Sequence, residues 1–128
     1  MWDLLLWLFV INTTLLITHE IDSAYWQEWE LFKLPVKATG FLIIHLPLVF
    51  VILYGLVLVV QHSWAGLIFS LALGLVGLIA FGLHMFFIKK GHPEFKTWIS
   101  LSILVATLVV SLVQVGVSLY CLITGLAA

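Results

Sequence analysis

Residues 2–18 read WDLLLWLFVINTTLLIT and run directly into His19-Glu20-Ile21-Asp22. An apolar stretch of this length is at the threshold for crossing a hydrocarbon core of about 30 Å as a helix. Three more runs follow, at 41–61, 64–88 and 96–124. Within all four, only Asp3 and Lys96 are charged, and both sit near an end. A transmembrane β-barrel would alternate in polarity over strands of about ten residues, and no such pattern occurs. The sequence therefore predicts an all-α, integral membrane four-helix antiparallel bundle, with residues 1–128 as a single domain surrounded by lipid.

Composition points the same way. The chain of 128 residues is 64% hydrophobic and 9% charged, which leaves too little polar surface to cover a soluble domain. Its net charge is −1 and its five basic residues are all lysines, a composition that excludes a nucleic-acid surface. Cys121 is the only cysteine, so neither an intramolecular disulfide nor a thiolate cluster can form. Met1-Trp2-Asp3 lacks the basic start of a secretory signal, so the first helix is expected to stay in the mature protein.

Lys33, Lys37, Lys89, Lys90 and Lys96 all fall in the first and third connections. Antiparallel crossing puts those connections on one side, which the positive-inside rule makes cytoplasmic, with both termini outside. The expected location is the inner (plasma) membrane of the cell, crossed several times. The second connection, Gln61-His62-Ser63, is an uncharged turn.

Residues 19–34 contain neither Gly nor Pro. The first helix is therefore expected to extend on the cytoplasmic side until Pro35 stops it. A helix from 2 to 34 would be about 50 Å long at 1.5 Å per residue, so it must project from the membrane or bend along its surface. Tyr25, Trp26, Trp29 and Phe32 are expected as anchors there. In the third connection, Gly91 after Lys89-Lys90 reads as a helix end and Pro93 as the next helix start.

Helical periodicity sorts the polar residues. Asn12 and His19 are seven apart and share a face of the first span. Gly66, Ser70, Gly74 and Gly77 form a small-residue seam on the third, and Ser70, Gly77 and His84 repeat at sevens along it. Thr107, Ser111, Gln114 and Ser118 make a stripe on the fourth. Helix packing and interhelical hydrogen bonding account for the serines, Thr107 and Gln114.

The ionisable residues need more. His19, Glu20, Asp22, Glu28, His45, His84, His92 and Glu94 converge on the cytoplasmic mouth, and such groups at a bilayer edge are expensive unless paired or coordinating. His19, His45, His84 and His92 are the candidate metal ligands, for zinc or iron. Glu20, Asp22 and Glu28 are the candidate catalytic carboxylates. A metal there could make hydroxide from water or polarise a carbonyl or phosphoryl oxygen. Without one, a histidine–carboxylate pair could still move protons. The competing reading makes each histidine a packing residue and His92 a cap or surface residue, and His62 stands alone on the far side.

Known motifs fit only in part. His19-Glu20 opens like the zinc-protease His-Glu-x-x-His, but Ser23 stands where the second histidine belongs. His92-Pro93-Glu94 echoes the deaminase His-x-Glu with no cysteine pair after it. Neither a Gly-rich phosphate loop nor a Gly-x-Ser-x-Gly elbow is present.

These residues carry a resemblance. His19-Glu20-Ile21-Asp22, followed by Glu28-Trp29 and Phe32, then His45 in the second helix and His84 ending the third, resembles a group of small uncharacterised bacterial membrane proteins. More distantly, the chain is similar to the membrane group named for a His-x-x-Glu-Glu motif (HXXEE), with Ser23 in place of the second acid. The resemblance implies a four-helix membrane protein and no established activity.

The leading functional expectation is a metal-dependent membrane enzyme acting on a lipid-like substrate. The alternatives are a packing subunit of a larger membrane complex, joined to a partner or to copies of itself, and a haem-binding bundle. An ion transporter is disfavoured, because the outer half offers only Asn12, Gln114 and hydroxyls as a path.

Overall fold

Backbone groups in a bilayer have no water to bond, so a spanning segment must satisfy them within itself. Each apolar run accordingly forms a helix. The computed structural model describes residues 1–92 and 96–125, and orders them as α1 (Trp2–Tyr25), α2 (Glu28–Leu31), α3 (Lys37–Val60), α4 (Trp64–Lys89) and α5 (Trp98–Thr124). All but α2 are long and apolar enough to cross a membrane. Among the described residues there is no strand.

The four long helices form the expected antiparallel bundle. α1 and α4 meet across its centre, while α3 and α5 each pack on both and not on one another. Leu5, Phe9, Leu16, Val59, Leu67, Leu73 and Cys121 are buried between them. The small residues of α4 set the spacing. A methyl on Gly77 would collide with Ser111 Oγ, and one on Gly66 would meet the backbone of Leu58.

Polar side chains then tie three helices together. Asn12 Nδ2 donates to Gln114 Oε1 at 2.7 Å and to Ser111 Oγ at 3.1 Å. Gln114 Nε2 donates to the Ser70 carbonyl at 3.0 Å and to Ser70 Oγ at 3.1 Å, and Ser118 Oγ donates to Ser70 Oγ at 3.0 Å. The stripes read from the sequence are thus one network linking α1, α4 and α5. Thr107 does not join it, because its hydroxyl donates to the Ile103 carbonyl of its own helix.

The first helix does run past its apolar stretch, for seven residues to Tyr25, but it does not continue unbroken to Pro35. Gln27 adopts the left-handed conformation (φ 54°), and α2 follows as a separate turn. The break redirects aromatic rings from water onto the bundle. The ring centroids of Trp29 and Phe41 are 5.4 Å apart, and those of Phe32 and Phe87 are 5.3 Å apart. Trp29 and Phe32 are half-buried in these contacts, and local helix preference is a weak force against such packing.

α3 begins at Lys37, so Pro47 lies inside it and frees the carbonyl of Ile43. Gly91 has φ 92° just past the end of α4, as expected for a helix stop. α5 starts at Trp98, where Thr97 Oγ1 accepts from the Ser100 N–H. Pro93 and Glu94, both given roles in the sequence reading, lie outside the described residues.

Candidate metal and proton-transfer centre

Three elements deliver the centre. His19 lies six residues before the end of α1 and is buried, as is His84 near the end of α4. Their rings meet edge to face with centroids 4.4 Å apart. α2 turns back over this pair and brings Glu28 Oε1 to 3.4 Å from His84 Nε2. One ligand atom from each of His19, Glu28 and His84 lies within 4.8 Å of the other two.

Hydrogen bonding fixes the tautomer of His84. Its Nδ1 is 2.7 Å from the Ala80 carbonyl. A carbonyl can only accept, so the proton is on Nδ1, and in the neutral ring the Nε2 lone pair is turned toward Glu28. A lone pair facing a carboxylate oxygen repels it unless a proton or a cation lies between. A metal-binding histidine is commonly held this way, with its other nitrogen donating to a backbone carbonyl. A tetrahedral ion with bonds of about 2.1 Å holds neighbouring ligand atoms about 3.4 Å apart, which matches the spacing from His84 to Glu28. Ser23, one turn beyond His19 on α1, is fully buried and its Oγ has no hydrogen-bond partner.

A second pair borders the first. His45 Nδ1 is 2.7 Å from the Phe41 carbonyl, and His45 Nε2 is 2.7 Å from Glu20 Oε2. With Nδ1 already donating, one proton is shared between Nε2 and the carboxyl group. The pair is either neutral on both sides or an ion pair, and it can pass a proton in either direction.

Both pairs line one cavity of about 320 Å³, walled by Trp29, Phe32, Phe41, Ile79 and Leu83. The structure thus brings His19, Glu20, Glu28, His45 and His84 together. It does not bring the other two candidates with them. Asp22 is half-buried and is not among the residues lining this cavity. His92 lies beside a separate hollow with Trp26, Lys33 and Lys90, its ring centroid 5.6 Å from that of Phe87. His62 stacks on Trp2 near the opposite end of the bundle.

Sequence reasoning missed the aromatic frame. Trp29, expected as a surface anchor, is a cavity wall. Phe41 stacks under His45 with centroids 3.8 Å apart, and its position four residues earlier on the same helix was the available signal.

Fold and site define a small polytopic helical bundle with a histidine–carboxylate centre near one end. Residues 5–121 match a family of unknown function (DUF6713), and the chain belongs to that family. No curated protein and no solved structure matches it.

Proposed function

We propose that this protein is a metal-dependent membrane enzyme, with His19, Glu28 and His84 as ligands and Glu20–His45 as its proton-transfer pair. The observation that carries this reading is the gathering of three ligand groups from α1, α2 and α4. The fold-back of α2 that packs Trp29 and Phe32 on the bundle also delivers a carboxylate onto two buried imidazoles. Two histidines and one carboxylate suit either zinc or non-haem iron. Three protein ligands leave coordination positions for water or substrate, where a metal supplies a nucleophile or polarises a carbonyl. The lysine-bearing end is assigned to the cytoplasm of a bacterial inner membrane under the positive-inside rule.

The haem reading loses ground for a geometric reason. His19 and His84 touch edge to face, which leaves no room for a porphyrin plane between them.

The test is metal analysis of protein purified without chelators, alongside His19→Ala and His84→Ala. A stoichiometric transition metal that disappears in both variants is expected. Native protein with no stoichiometric metal overturns the assignment.

A further inference from the structure

The cavity is not closed on all sides. Ile44 on α3 and Val76, Ile79 and Leu83 on α4 line it, yet their exposures are 52%, 50%, 60% and 42%. In a spanning bundle, such exposed apolar side chains face acyl chains. The cavity therefore opens sideways, between α3 and α4, into hydrocarbon. Toward the other end the same two helices close tightly, with Gly66 against the Leu58 backbone and Gly55 against Phe69. The opening is a cleft confined to the half of the bundle that holds the histidines.

The lining also limits what fits. At about 320 Å³ the cavity is near the small end for ligand sites. It accommodates a polar head and the first part of a chain, and the rest of the chain must leave through the cleft. Glu20 and Glu28 lie at its polar end, and none of the five lysines is among its lining residues. The side chains at that end offer two carboxyl groups and no lysine, so a phosphate head would depend on the proposed metal for its counter-charge and would find a poor environment in the metal-free protein. An uncharged oxygen head meets only donors and acceptors.

We infer that the α3–α4 cleft is a lateral substrate port, admitting a single-chain amphiphile with an uncharged carbonyl or hydroxyl head from the leaflet on the lysine-bearing side. This names the substrate class for the centre proposed above and rests on that reading for its chemistry, though not for its binding.

The test is photolabelling of the full chain in lipid nanodiscs with a long-chain alcohol carrying a mid-chain diazirine. Labelling should saturate, map to α3 and α4, and be competed by unlabelled long-chain alcohol but not by its phosphate monoester. Ile79→Trp should abolish it by filling the cleft, and Leu83→Trp, at the same opening, should do the same. Val109→Trp, on the exposed face of α5, should leave it unchanged, and all three variants should keep the metal content of the parent. Labelling that does not saturate, that survives both cleft substitutions, or that the phosphate ester displaces better than the alcohol overturns the port. A metal-free protein that still shows saturable labelling, lost on Ile79→Trp, supports the port and removes the metal assignment. A metalloprotein without saturable labelling does the reverse.

Discussion

Glu20 Oε2 lies 2.7 Å from His45 Nε2, while the other nitrogen of the same ring is held 2.7 Å from the Phe41 carbonyl. The ring is clamped at both ends, and the only mobile proton is the one shared with Glu20. Glu20→Ala should cost about 1–3 kcal/mol, because a half-buried ring nitrogen then loses its partner. Glu20→Gln should cost less, since an amide can still bond Nε2. Unfolding of the two variants in detergent against the parent measures this, and equal losses would show that shape rather than hydrogen bonding sets the penalty.

The ligand set makes a sharper division among the histidines. Glu28→Gln should deplete the metal as the His19 and His84 substitutions do, whereas His92→Ala and Asp22→Asn should leave it in place. His45→Ala should retain metal while losing whatever proton transfer the centre performs. Chelator treatment should destabilise the parent and leave the metal-free variants unaffected, because binding to the native state alone raises its stability. Metal analysis with thermal unfolding reads both effects.

Asn12, Ser111, Gln114 and Ser70 hold three helices by buried hydrogen bonds. Interhelical bonds of this kind average about 0.6 kcal/mol and reach about 1.7 kcal/mol. A double-mutant cycle between Asn12→Ala and Gln114→Ala should give a coupling energy in that range. A coupling near zero would mean that each partner finds water or another group once its neighbour is gone.

Two glycines offer a steric contrast. An added Cβ at Gly77 meets Ser111 and Thr107, whereas at Gly116 it meets nothing within 4 Å. Gly77→Ala should therefore destabilise by about 1–3 kcal/mol through overpacking. Gly116→Ala should be neutral or stabilising, since alanine is the better helix former. Detergent unfolding of both variants checks the difference.

Gln27 carries positive φ without being glycine or asparagine. Gln27→Gly should relieve strain of about 1–2 kcal/mol at that position, partly offset by the greater freedom of glycine in the unfolded chain. A net gain in stability with unchanged metal content is expected. Loss of metal from this variant would show that the rigidity of the turn, and not only its direction, positions Glu28.

The four spanning helices, their antiparallel order and the inward faces of Asn12, Ser70, His84 and Gln114 were legible in the residues alone. Those features depend on length, apolarity and helical period, which act within one segment at a time. A bilayer enforces them because every unpaired backbone group in hydrocarbon is penalised. The convergence of His19, His45 and His84 on one end was legible for the same reason.

Only the tertiary structure decided which partner each ionisable group takes. Glu20 goes to His45 and Glu28 to His84, while Asp22 and His92 stay apart from both pairs, although all lie at similar depth in the sequence reading. The deciding event is the break at Gln27. Nothing in residues 19–34 marks it, because it goes with the packing of half-buried Trp29 and Phe32 against rings on α3 and α4. Contacts between residues far apart in the chain outweigh a helix preference worth less than about 1 kcal/mol per residue, and they become visible only once the bundle is assembled.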